Sequence, residues 1–231
     1  MYGGLNEIFK YSDQAHVLDL STTTWFTLTT SGVPPPGRAY STMVALPSST
    51  TGPNGWHGPR LAIFGGWNGQ SDTVGASLAD GHILDLAQRP PKWTAISALN
   101  AAAVKARNSH ASVVIGTTMV SFGGWTTTWA QWSKNNNEKL TQSFEIFNDI
   151  VAIDLDASKT SRAWDVRSAL TSPPAKRAGH TATLYNNKMI IFGGANPLFL
   201  LSVSDVSATT NDAAWTNNAA FKGPWVFNDV S

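Results

Sequence analysis

Three arginines recur in this chain in similar surroundings, Arg38, Arg107 and Arg177. A guanidinium is a planar fork of five donors that keeps its charge. Three such groups turned toward one centre would make a cationic ring able to hold an acidic ligand. The reading favoured by the shape of the fork is that each one hydrogen-bonds backbone carbonyls between neighbouring structural units. Two or three residues after each arginine stands a ring: Tyr40, His110 and His180. The two histidines could ligate a metal if both faced one axis. They fall at equivalent places in different units, with no local carboxylate and without metal-ligand spacing, so they are read as structural. The chain has no cysteine, which excludes disulfides, thiolate metal sites and a thiol nucleophile. It has no Gly-x-Ser-x-Gly elbow, phosphate loop or His-Glu-x-x-His pair. The expectation is a protein that is not an enzyme and that carries no cofactor or metal.

A different chemistry is suggested by tryptophan. Six of the ten stand in three long segments, 67–81, 125–147 and 195–227: Trp67, Trp125, Trp129, Trp132, Trp215 and Trp225. Aromatic side chains are favoured anchors at protein interfaces, and their faces can stack on sugar rings. They could form a recognition face, with Trp129 and Trp132 as first choices for partner contact. The competing reading is that the segments fold back and bury their own indoles. Charged residues make up 13% of the chain and the net charge is +1, against roughly 25% charged in an average domain. With no Lys/Arg cluster, nucleic acid is not an expected partner. No apolar run approaches the roughly 18 residues that cross a bilayer.

The elements that position these residues come from a repeat. Gly-Gly pairs stand at 3–4, 65–66, 123–124 and 193–194 (Gly3, Gly4, Gly65, Gly66, Gly123, Gly124, Gly193 and Gly194). Each closes an apolar run such as "LAIFGG" or "IIFGG". After the first three pairs comes a stretch ending in Asp-Leu, at Asp19, Asp85 and Asp154, then a tryptophan: Trp25, Trp93 and Trp164. An arginine follows 13 or 14 residues later, and then a β-run and the next pair. The runs "HASVVI", "TMVSF", "HTATLY" and "DIVAI" are short and rich in β-branched residues. Gly116-Thr117 and Asn186-Asn187 suit two-residue hairpins with positive φ. The best helical candidate, 100–107, is a turn or two at most. The prediction is four short antiparallel strands per repeat, forming sheets that must stack face to face around an axis. Paired glycines would serve where a strand leaves the sheet while another backbone lies close.

The order of Arg-x-x-His, Gly-Gly, Asp-Leu and Trp resembles the kelch repeat, the four-stranded blade of kelch β-propellers, over nearly the whole chain. The departures are Tyr40 where that family favours histidine, and unusually long loops after each glycine pair. The fold expected is all-β: a kelch-type β-propeller segment of about 3.5 four-stranded antiparallel blades with long inter-strand loops. Residues 1–231 form one incomplete domain. It divides into a partial blade at 1–30, full repeats at about 38–98 and 107–170, and a partial blade at 177–231. "FNDVS" (227–231) mirrors "FNDIV" (147–151), which puts the last residues in a third strand. Remaining blades, or a second copy, would close the ring. Trp25, Trp93 and Trp164 are expected between blades. A copper-radical oxidase of the galactose oxidase type resembles this chain in scaffold, but its Cys–Tyr crosslink has no counterpart here. The function implied is a binding or scaffold module for a protein partner, acting through Trp67, Trp125, Trp129, Trp132 and Trp215. The alternative is a propeller enzyme or carbohydrate-binding domain with its site in the central channel.

Overall fold

Gly65-Gly66 and Gly123-Gly124 directly follow the second strand of a sheet, Gly3-Gly4 follow the bridge made by Tyr2, and Gly193-Gly194 lie near the end of a second strand. The protein is described by a computed structural model that covers residues 1–7, 10–48, 58–71, 74–129, 142–168, 173–195 and 225–227. In chain order the first strands are β1 (His16–Asp19), β2 (Thr24–Thr27), β3 (Ser31–Gly32), β4 (Thr42–Leu46) and β5 (Arg60–Phe64). Then come β6 (Trp67–Ser71), β7 (Val74–Ser77), β8 (Gly81–Asp85) and β9 (Lys92–Ala95). The next repeat gives β10 (Ala111–Ile115), β11 (Thr118–Phe122), β12 (Trp125–Trp129), β13 (Gln142–Ile146), β14 (Ile150–Asp154) and β15 (Trp164–Arg167). The last are β16 (Ala178–Tyr185), β17 (Lys188–Ala195) and β18 (Trp225–Phe227).

Two complete blades result. One is the antiparallel order β4-β5-β8-β9, and the next is β10-β11-β14-β15. They are flanked by β1-β2, with Tyr2 bridging to Ala15, and by β16-β17-β18. The turns obey the sequence. Asn186 and Asn187 both have positive φ (48° and 58°), and Gly116 has φ 59°. The helical candidate shrinks to one 3-10 turn, Ala101–Ala103. The short strand β3 pairs in parallel with β9, so the chain beyond residue 30 lends a fifth strand to the following blade. In the last sheet the strand is the apolar "WVF", with Phe227 opposite Met189. In the preceding blade Ile153 faces Met119, the residue equivalent to Met189. The two "FND" segments therefore do not hold matching places, and residues 228–231 lie outside the described set.

The core sits between sheets. One cluster joins Tyr2 and Ala15 to Ile63, Leu84 and Trp93. A second joins Phe64 and Ala62 to Met119, Val151, Ile153 and Trp164. A third joins Val120 and Phe122 to Met189 and Ile191. Each is the interface of one sheet with the next, because a four-stranded sheet has two apolar faces and cannot cover either alone. The tryptophan expectation divides here. Trp93 and Trp164 are buried, at 3% and 6% exposure, whereas Trp25 is 59% exposed. Trp25 lies on the outer face of β1-β2, where no further sheet packs among the described residues. Phe192, the last sheet's counterpart of Phe64 and Phe122, is likewise exposed.

Candidate recognition face

The face is built outward from the glycine pairs. All eight of their residues have positive φ. At Gly124 a Cβ would stand 2.6 Å from the Asn108 carbonyl oxygen, and at Gly65 2.6 Å from that of Arg107. Only glycine permits this conformation with a neighbouring backbone so near. The closeness serves a hydrogen-bond circuit made three times. The second glycine donates to the carbonyl of the next blade's arginine: Gly4 to Arg38 at 2.8 Å, Gly66 to Arg107 at 2.8 Å, Gly124 to Arg177 at 2.9 Å. Those arginine amides donate in turn to Ser12, Leu78 and Phe147, whose own amides return to the same glycines.

The arginine side chains work differently from expectation. All three are fully buried. Each Nη1 donates to its own blade's first glycine carbonyl: Gly65 at 2.9 Å, Gly123 at 3.1 Å and Gly193 at 2.9 Å. The contact between blades is made by the arginine backbone. Two forks are also closed by carboxylates. Arg38 binds Asp80 at 2.8 and 2.7 Å, and Arg107 binds Asp149 at 2.8 and 3.0 Å. This is bidentate geometry. Burial pushes the Asp80 carboxyl up, but the hydrogen bonds and charge of Arg38 outweigh it and hold it below its ordinary value. An acidic ligand would therefore meet two forks already occupied, those of Arg38 and Arg107. Sequence reasoning missed both aspartates. The available signal was an Asp five residues ahead of Asp85 and of Asp154, just before the third strand.

The rings after the arginines are not one set. His110 and His180 stand three residues on, where Gly124 and Gly194 come close to their Cβ atoms, and Ser41 holds that place beside Gly66. Tyr40 instead matches Ser109 and Gly179, all with positive φ (56°, 53° and 69°). The mismatch arose because the sequence allowed a spacing of two or three. These residues form a backbone chain across blades, Ser109 amide to Tyr40 carbonyl at 2.9 Å and Gly179 amide to Ser109 carbonyl at 2.8 Å. Each histidine touches the blade before it. His110 Nε2 lies 2.9 Å from Thr42 Oγ1 with its ring against Phe64, and His180 Nε2 lies 3.1 Å from the Phe122 carbonyl. Burial lowers the pKa of both, His180 to about 4. Among the described residues no group of three or more His, Cys, Asp or Glu is placed to hold a metal.

Beyond the glycines the two central blades carry a second sheet. β6 pairs with β7 and β12 with β13, each an antiparallel hairpin. Thr128 of β12 pairs with Ala76 of β7, which joins the hairpins of adjacent blades in the order β13-β12-β7-β6. The segments after the second and third glycine pairs are thus partly a structured crown. Each outgoing strand begins with a tryptophan held by the blade's arginine segment. Trp67 bridges Ala39, and Trp125 bridges Asn108. Both indoles are partly exposed. Trp67 hydrogen-bonds Tyr11, and burial raises that phenol's pKa. Tyr40 is 61% exposed. Trp129 ends β12. Trp132 and Trp215 lie outside the described residues.

Comparison with known proteins agrees with this architecture. The family model of the KLHDC2/KLHL20/DRC7 Kelch-repeats domain matches residues 1–131 and 57–222. Kelch domain-containing protein 3 of Homo sapiens is 26% identical over 231 residues, covering 100% of this chain and 48% of that protein. Host cell factor of Drosophila melanogaster is 23% identical, with 94% of this chain and 16% of that protein covered. The chain thus spans about half or less of the length of these relatives. Among solved structures, YjhT superposes with a TM-score of 0.50 at 15% identity, over 84% of this chain and 54% of its own. With its glycine pairs, buried arginines and inter-blade tryptophans in register, the chain belongs to the Kelch-repeats family and is a segment of a kelch β-propeller.

Proposed function

We propose that this segment is a protein-binding module whose contact face is the crown, with Trp67, Trp125, Trp129, Trp132 and Trp215 as the aromatic anchors. The observation that carries the reading is the joining of β6-β7 and β12-β13 into one sheet. It supplies a platform that starts from two equivalent tryptophans. A chain this poor in charge would gain affinity from aromatic area and backbone polar groups, so binding would depend weakly on salt. Kelch-repeat relatives such as Kelch domain-containing protein 3 and host cell factor support an interaction role over catalysis. The exposed Trp25 and Phe192 are unmade halves of the inter-blade contact. They take further blades, from more of the same protein or from a second copy.

The test is partner capture by the longest natural form of the protein, compared with Trp129→Ala and Trp132→Ala. The reading expects capture to fall at least tenfold with thermal stability kept, and glycan binding to be absent. Retained capture, or saccharide binding in place of protein binding, overturns it.

A further inference from the structure

Strand β6 is an edge of the crown. Among the described residues its outer side is bonded at Trp67, whose amide and carbonyl exchange hydrogen bonds with Ala39 at 2.8 and 3.0 Å. Backbone groups alternate sides along a strand. Pairing with β7 is regular as far as Gly69 and shifts between Gly69 and Ser71, so the Gly69 N–H, two residues on, turns to the same outer side, where no described residue pairs with it. The next blade has the same start and a different outcome. Trp125 bridges Asn108, and further along β12 is met by β7 through Thr128 and Ala76. The strand that would do this for β6 belongs to the segment between Leu5 and Tyr11. At the ends of that segment Leu5 bridges Tyr11, and the Asn6 amide is bonded to the Lys10 carbonyl at 3.1 Å.

The approach to this edge is lined by aromatics. Tyr11 hydrogen-bonds Trp67. Tyr40 is 61% exposed with φ 56°, a conformation costly for a bulky side chain and held by glycine in the equivalent Gly179.

We propose that the outer edge of β6 is a docking edge for an extended peptide segment of a partner. The segment joins the crown as a fifth strand beside Tyr11, Tyr40 and Trp67. Main-chain hydrogen bonds to Gly69 give register, and small or apolar side chains lie over the tyrosines, the strand-addition mode of recognition. The chemistry of the occupant is argued from the crown itself, since the chain's own neutral β7 segment fills the equivalent edge of β12. The proposal rests on the crown being the binding face.

The probe is a fluorescein-labelled peptide copying residues 73–80, "TVGASLAD", titrated into the full chain. Saturable binding is expected. N-methylation of the peptide at alternate residues should weaken it at least tenfold in one phase of the alternation and less than threefold in the other. Gly69→Pro, which removes the edge N–H, should weaken it at least tenfold, and the peptide should slow exchange of the Gly69 amide. No binding, or equal binding in both phases of methylation, overturns the proposal, and the methylation arm decides even if Gly69→Pro fails to fold. If Gly69→Pro folds and binds the peptide normally while Trp129→Ala abolishes partner capture, the edge falls and the face stands.

Discussion

Phe64 ends the second strand of one blade, and its ring lies 4.8 Å from that of Trp164 on the fourth strand of the next. Tyr2 and Trp93 repeat the relationship one blade earlier, at 5.0 Å and edge to face. At these two places the aromatic before the glycine pair is one half of a joint, and the strand-four tryptophan of the following blade is the other half. This explains why the apolar runs end in an aromatic residue just where the backbone must turn.

The joint predicts an ordering of truncations. Trp164→Ala removes a side chain that is 6% exposed and should cost about 3–5 kcal/mol. Trp25→Ala alters the equivalent residue, which is 59% exposed, and should cost about 0.5 kcal/mol or less. Urea unfolding followed by circular dichroism measures both. Similar losses at the two sites would contradict the stacked arrangement.

The arginine forks give a second ordering. The side chain of Asp149 is 13% exposed and that of Asp80 38%, while both arginines are fully buried. Asp149→Asn leaves the Arg107 charge without its counter-charge in a nearly closed site, so a loss of about 3–5 kcal/mol is expected. Asp80→Asn should lose about 1 kcal/mol, because water reaches that carboxylate. Equal losses would mean that burial does not govern these pairs.

Acid should weaken the fold in two windows. Burial depresses the pKa of His180 to about 4 and that of His110 well below its ordinary value. The unfolded chain, with histidine near 6.5, then binds more protons than the folded one as pH falls. Stability is full above about pH 6.5 and declines as pH drops toward 4, by at most about 1.4 kcal/mol per pH unit per histidine. Asp154 acts lower down, because its hydrogen bond from Lys159 holds it at about 2, so its contribution is lost only below roughly pH 4. Melting temperatures from pH 7 to 5 should fall less in His180→Gln than in the parent. An unchanged slope would show that His180 does not titrate in that window.

How much of this was legible in the sequence depends on the range of the interaction. The glycine pairs and the Asn186-Asn187 turn were readable because φ preference is a property of the residue itself. Trp93 and Trp164 were readable because interior aromatics recur at blade period. Trp25 shares the pattern and differs in having no neighbouring sheet among the described residues, which no local signal records. Asp80 and Asp149 escaped because each meets its arginine 42 residues away in sequence. The same residue-type rules offered several acids. Tyr40 was set against His110 by ring type, whereas backbone conformation pairs it with Ser109. The crown was half visible: "WTTTW" at 125–129 has the β-branched composition of a strand. "WNGQS" does not, and it becomes a strand only through the pairing of β6 with β7.

Hydrogen exchange on the partner-bound protein tests most directly whether partners meet the crown end of the blades. Binding at the crown should slow amide exchange in 67–71 and 125–129 at least tenfold. The joints at the opposite end, 20–23, 86–91 and 116–117, should keep their free rates. Protection concentrated at those joints, with 67–71 and 125–129 unaffected, would contradict it.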